Sequence, residues 1–189
     1  MCGDDAELIL LVETLPPQIA APGVVGPPSV HCGSEQMEQM REHVSLQPGL
    51  EAGGILLGRS EVDAHSVNLV VLSSLPAEAV QSGPAHLTFT QETWRLLENR
   101  RLAQYRDALV LGWYHSHPGL GLFLSGFDRR LHQQIFGHEP WSVALVIDPI
   151  AETRAFFWCH HGKVVQCCEV GAAVHPLQRG NEGGDIWRM

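Results

Sequence analysis

The stretch "WYHSHPGLGLFLSGFDRRLH" sets His115 and His117 either side of Ser116, with Ser125 further on and Asp128 three residues after that. Imidazole nitrogen and carboxylate oxygen are zinc ligands, and a catalytic zinc takes three protein ligands and keeps a fourth position for water. Two histidines one residue apart at the end of a strand project to the same side. Asp128, on the helix that follows, supplies the third ligand if the loop over residues 119–125 folds back. His, His and Asp without a cysteine suit a hydrolytic zinc rather than a structural one. Such a metal lowers the pKa of its bound water to about 7 and polarises a carbonyl. That water needs a base, and Glu51 is the best candidate. It precedes a Gly-Gly pair and an apolar strand-like run, an odd place for a carboxylate. Ser125 can offer a hydroxyl to a developing oxyanion. It is equally placed to cap the helix that carries Asp128, and the two roles are compatible.

These residues need elements to position them. "ALVLGWYH" reads as a buried strand that delivers His115, and Pro118 stops any helix from running through that point. "GFDRRLHQQIF" reads as a helix with Asp128 near its start, and His132 and His138 are expected to be exposed. "EAGGILLGRS" and "SVNLVVLSSL" are strands, with Glu51 at the entrance of the first. "GSEQMEQMREHVSL" puts Met37, Met40 and Val44 on one helical stripe, with Ser34 placed to cap it. After the loop "PAEAVQSGPAH", Thr90 is placed to cap a helix over "QETWRLLENRRLAQY", with Trp94, Leu97 and Tyr105 inward. "WSVALVID", "TRAFFWC" and "KVVQCCEV" are three further strands, the last two joined by "HHGK" as a hairpin. The expected class is α/β (α+β), a mixed and largely antiparallel sheet flanked by two to three helices.

Residues 1–28 hold a strand-like run, "ELILLV", and then a proline-rich arm. The folded domain is expected over residues 29–175, with a polar, Gly-rich, flexible tail over residues 176–189. The formal net charge of −9 and the lack of any Lys/Arg run argue against nucleic acid and against an anionic membrane surface as partners. The N-terminus carries aspartates where a secretion signal has positive charge, and no stretch has the length of a membrane-spanning helix. Five cysteines without framework spacing read as reduced thiols, so a cytoplasmic setting is expected.

The pattern Glu51, then "HSHP", six residues, Ser125, two residues, Asp128 resembles the JAMM motif of the MPN-domain (JAB1/MPN/Mov34) metalloproteases. "EAGGILLGR" is similar to the family's segment around its catalytic glutamate, and "VALVIDP" to the strand after its metal-site helix. The resemblance covers roughly residues 30–170, and it implies a curved mixed sheet. It also implies that His115, His117 and Asp128 bind Zn2+, one per chain. Glu51 would orient and deprotonate the water and pass the proton to the leaving amine. Ser125 would stabilise the tetrahedral intermediate, and Ser116 would act in packing or behind the ligands. Active members cleave isopeptide or peptide bonds after the C-terminal glycine of ubiquitin or a ubiquitin-like protein. "GLGLF" resembles the region that lines their active-site groove. The implied protein is a prokaryotic-type, single-domain, deubiquitinase-like enzyme, with a ubiquitin-like protein or its conjugates as partner and E1-like or E2-like enzymes in the same system. The competing readings are a non-catalytic or partner-activated MPN scaffold, and a JAMM peptidase acting on sulfur-carrier adducts or small peptides.

A second cluster, "CHHGKVVQCC", offers Cys159, His160, His161, Cys167 and Cys168. Adjacent strand residues point to opposite faces, so core cysteines and hairpin histidines are the favoured reading over a structural zinc.

Overall fold

The structure, a computed structural model, describes residues 26–62, 66–78, 80–84, 86–160 and 162–171. The strand-like run at residues 7–12 and the tail lie outside the described residues. The chain begins with β1 (Ser29–Cys32) and α1 (Ser34–Ser45), followed by the long strands β2 (Gly53–Val62) and β3 (Val67–Pro76). A small hairpin, β4 (Gln81–Gly83) and β5 (His86–Thr88), precedes α2 (Gln91–Gln104). Then come β6 (Leu109–Ser116), α3 (Gly126–Phe136), β7 (Val143–Asp148), β8 (Thr153–His160), β9 (Lys163–Gln166) and β10 (Cys168–Val170). Among the described residues, no helix is long and apolar enough to cross a membrane.

Eight strands form one sheet in the order β10-β1-β3-β2-β6-β7-β8-β9. β2 pairs antiparallel with β3 and β6, as β8 does with β7 and β9. β6/β7, β1/β3 and β1/β10 are parallel. The expected mixed, mostly antiparallel sheet with helices packed on it is therefore present. Its curvature follows from connectivity. β9 and β10 lie at opposite ends of the strand order, yet only Cys167 separates them in the chain. The sheet must curl to bring its ends together. The Cys167 N–H donates to the Phe156 carbonyl at 2.8 Å, and Arg154 on β8 pairs with Glu169 on β10 at 2.8 Å.

That hop corrects one expectation. "KVVQCCEV" is two strands, not one, because Cys167 turns inward while the residues beside it stay exposed, and Cys168 leaves β8 to pair with β1. β1 and the β4/β5 hairpin also lie in stretches too short to show a period. Gly33, not Ser34, occupies the cap position of α1, and no side chain caps that helix. Thr90 does cap α2, in a reciprocal capping box with Thr93.

The sheet is buried on both faces, which is why "GGILLG" reads as a continuous apolar run. Alternation sends Ile55 and Leu57 to the side covered by α2 and α3, with Leu97, Leu131 and Ile135. It sends Leu56 to the side covered by α1, with Met37, Met40 and Val44. On β6 the same alternation puts Trp113 on the α3 side and Tyr114 on the α1 side. His115 shares the parity of Trp113 and so faces the helix that carries Asp128.

Gly112 makes this pairing possible. Its φ is +143°, and a Cβ there would lie 1.8 Å from the Val143 carbonyl oxygen. Gly112→Ala is expected to lose about 2–4 kcal/mol of stability from backbone strain plus overpacking. Urea unfolding monitored by tryptophan fluorescence measures this, and an unchanged midpoint would show that β6 and β7 can separate there without cost.

Candidate metal centre

Antiparallel pairing of β2 with β6 sets Gly53 opposite His115 and Gly54 opposite Tyr114. Extending that register two residues sets Glu51 opposite His117, though 66 residues separate them in the chain. Hydrogen bonds continue the pairing beyond the strand ends. The Ser116 N–H donates to the Ala52 carbonyl at 2.9 Å, and the Ala52 N–H donates to Ser116 Oγ at 3.0 Å. Ser116 is thus the clasp between the glutamate segment and the histidine segment. The Glu51 N–H donates to the Gly83 carbonyl at 3.0 Å, which ties Glu51 to the β4/β5 hairpin as well. A Cβ on Gly53 would meet the Tyr114 carbonyl oxygen at 2.2 Å, so the glycine after Glu51-Ala52 is a steric requirement of this close approach.

The third element arrives through a helix cap. Ser125 Oγ accepts from the Asp128 N–H at 3.1 Å, and the Ser125 N–H donates to Asp128 Oδ2 at 2.6 Å. This is a capping box with Asp128 at its third helical position, and it holds the carboxylate beside the positive end of α3. The Ser-x-x-Asp spacing is therefore a folding device. Ser125 Oγ accepts the cap bond, and its side chain also hydrogen-bonds the Asp128 carboxylate.

Four side chains converge, each no more than 2% exposed. His115 Nε2 lies 3.1 Å from His117 Nε2 and 3.6 Å from Asp128 Oδ1. His117 Nε2 lies 3.5 Å from Asp128 Oδ2 and 3.7 Å from Glu51 Oε1. Tetrahedral zinc with bonds of 2.0–2.1 Å needs ligand atoms about 3.3 Å apart. The donors from His115, His117 and Asp128 fit such an ion. His117 Nδ1 lies 3.2 Å from the Gly121 carbonyl, which can only accept, so Nδ1 carries a proton and Nε2 faces the centre. Among the described residues, Glu51 Oε2 and His115 Nδ1 are buried without a hydrogen-bond partner.

Electrostatics divide the carboxylates. Burial raises the Asp128 carboxyl, but hydrogen bonds to the His115 and His117 rings, the His115 charge and the Ser125 side chain more than offset it and hold it well below the usual range. Burial pushes Glu51 up to about 7, with His117 opposing and the Asp128 charge adding to the rise. One carboxylate stays ionised and the other sits where it can take and release a proton near neutrality. Burial lowers His115, against Asp128, and so favours its neutral, ligating form. Burial also opposes charge on His117, but Asp128, Glu51 and the Gly121 carbonyl outweigh it.

A support behind the centre escaped the sequence reading. The Trp113 indole stacks on the His115 ring, with centroids 4.2 Å apart and planes 9° apart. The indole N–H donates to His132 Nδ1 at 3.2 Å, and His132 Nε2 meets Ser142 Oγ at 3.2 Å. His132 is fully buried, against the expectation of exposure, while His138 is exposed. The spacing gave half of the signal: His132 lies four residues after Asp128, on the same helical face, but the spacing does not say that this face is buried. In the second cluster, Cys159 and Cys167 are buried in opposite cores and Cys168 is exposed. His161 lies outside the described residues.

Residues 34–160 match the family described as prokaryotic homologs of the JAB domain. The chain belongs to this family. The JAB-domain chain is 36% identical over 120 residues to COP9 signalosome complex subunit 5 of Caenorhabditis elegans, covering 62% of this chain and 31% of that protein. It is 30% identical over 156 residues to the Saccharomyces cerevisiae protein named ubiquitin carboxyl-terminal hydrolase RPN11, covering 79% of this chain and 47% of the relative. These are relatives of the JAMM/MPN+ type, as the motif implied. The chain spans less than half the length of either. A solution structure of a protein from Desulfitobacterium hafniense shares the fold, with a TM-score of 0.61 at 23% identity over 77% of this chain and 94% of that one.

The neutral His132 sets a pH dependence of stability. Burial lowers its pKa from 6.5 to about 4. The unfolded chain therefore takes up a proton first as pH falls, and stability drops between about pH 6.5 and 4, by on the order of 3 kcal/mol. Urea unfolding of the metal-free protein across this range is expected to show that loss, and His132→Gln to flatten it. Equal slopes in the two proteins would mean that His132 is protonated without opening the core.

Proposed function

We propose that the chain is a zinc-dependent isopeptidase or peptidase that cleaves after the C-terminal glycine of a ubiquitin-like protein, in deconjugation or precursor processing. The observation that carries this reading is the placement of Glu51 Oε1 3.7 Å from His117 Nε2, beside a His-His-Asp set of zinc-ligand type. Ligands alone would suit a scaffold; a buried carboxylate pushed up to about 7 beside them is what hydrolysis requires. The relative named a ubiquitin carboxyl-terminal hydrolase supports the substrate class.

In this reading His115, His117 and Asp128 hold the ion. When bound, zinc supplies Lewis acidity that activates water and polarises the scissile carbonyl. Glu51 accepts the proton of the attacking water at its carboxylate and returns it to the nitrogen of the leaving amine, so the proton count balances over the cycle. The Ser125 hydroxyl donates to the oxyanion of the tetrahedral intermediate while its lone pair keeps the helix cap. Exposed Leu120, Phe123 and Phe127, with the Phe123 ring 4.8 Å from that of His117, offer an apolar border for an extended substrate tail. The catalytic unit is residues 29–175. A cytoplasmic setting suits the free cysteines, and E1-like or E2-like enzymes of the same conjugation system are the expected functional neighbours.

Cleavage of a ubiquitin-like protein fused through its C-terminal glycine to a reporter tests the reading. Wild type is expected to cleave and to stop with chelator. Glu51→Gln is expected to keep about one zinc per chain and to lose about 10²–10⁴-fold in kcat. Cleavage that survives metal removal would sink the assignment, and zinc without cleavage would leave the partner-activated scaffold. Ser125→Ala is expected to lose about 10²-fold in kcat and about 1 kcal/mol of stability. A loss of stability alone, with kcat retained, would reduce Ser125 to a cap.

A further inference from the structure

We propose that Asp148 is a positioning residue of the metal centre, holding the loop after His117 so that the Gly121 carbonyl keeps the proton of His117 on Nδ1. The link to metal binding rests on the reading above; the link to the histidine tautomer does not.

Asp148 ends β7 and is 2% exposed, and its carboxylate accepts four backbone N–H groups. Two come from its own turn, Ile150 at 3.0 Å and Ala151 at 3.1 Å, both on Oδ1. These alone satisfy the ordinary role of an aspartate at the start of a turn. The other two reach back across the fold, from Gly119 at 3.0 Å on Oδ1 and from Gly121 at 3.1 Å on Oδ2. Gly119 and Gly121 have φ of +70° and +85°, a left-handed path that other residues rarely adopt. The loop path is thus set by two glycines and held by one carboxylate. Burial works against the Asp148 charge, and the four N–H groups more than offset it, so the carboxyl stays below its usual range.

The held loop ends at His117. The Gly121 residue whose N–H is bound to Asp148 Oδ2 presents its carbonyl to His117 Nδ1 at 3.2 Å. The residue before Asp148 acts on the same histidine, because the Ile147 carbonyl accepts the His117 N–H at 2.8 Å. The end of β7 therefore fixes both the backbone and the ring of His117. Without the loop bond, the imidazole proton is free to sit on Nε2, where it blocks ligation.

Asp148→Asn isolates the step. The Asn oxygen can keep the bonds from Gly119, Ile150 and Ala151, but its NH₂ then faces the Gly121 N–H, donor against donor. In metal-free wild type, at a pH alkaline enough to leave the ring neutral, ¹⁵N spectra of the imidazoles are expected to show the single His117 proton on Nδ1, and in Asp148→Asn a mixture of tautomers. Zinc affinity, titrated with zinc alone, is expected to fall about 10–100-fold in the variant. Unchanged tautomer and unchanged affinity would overturn the proposal. If wild type binds no zinc while the tautomer still shifts, the positioning role stands and the metal reading falls. Should the variant fail to fold, amide exchange in wild type decides: Gly119 and Gly121 are expected to be protected, and free exchange at both overturns the proposal.

Discussion

The centre depends on the antiparallel register between β2 and β6. That pairing brings a glutamate and a histidine from distant parts of the chain to face each other, and it does so with backbone hydrogen bonds rather than with the reactive groups themselves. Ser116 extends the pairing past the strand ends, so the register cannot slip by one residue without losing the clasp. A slip would also turn Glu51 to the other face of the sheet, because strand side chains alternate. Gly53 and Gly112 permit the tight approach of the three central strands, and the geometry of the centre inherits their fit.

Around that register the protein uses ordinary structural devices to aim polar groups. A helix cap orients the aspartate, an indole stacks behind one histidine, and a held loop fixes the tautomer of the other. Each buried charge has partners suited to its state, as burial demands. Asp128 has its imidazoles and a backbone N–H, and Asp148 has four N–H groups. Glu51 is the exception. One of its oxygens, among the described residues, has no hydrogen-bond partner. Burial raises its pKa to about 7, with the Asp128 charge adding to the rise, so its proton exchanges near neutrality.

The JAB-domain chain shows how far local patterns carry. The strands that hold the centre were legible because they are long and apolar, and α2 and α3 because Thr90 and Ser125 sit at their cap positions. The split at Cys167 was not, because a strand leaving one edge for the other keeps the same alternation. The burial of His132 was missed because a histidine at the fourth position after Asp128 reads equally as surface until a tryptophan is known to face it. Asp148 was passed over for a similar reason. Four of its hydrogen bonds are to backbone, and backbone donors leave no mark on residue type.

The amino-acid sequence by itself determined the identities and spacings of His115, His117, Ser125 and Asp128, which lie within one strand, loop and helix cap. Those spacings act locally, through strand alternation and a capping box, so they can be read along the chain. The sequence also named Glu51, but tertiary structure alone decided how Glu51 comes to face His117, that the sheet curls until its two ends meet at Cys167, and that Asp148 reaches back to the loop after His117. Each of these is a contact between segments far apart in the chain. Such contacts are selected by the register of neighbouring strands and by burial on both faces of the sheet, which no short window of sequence contains.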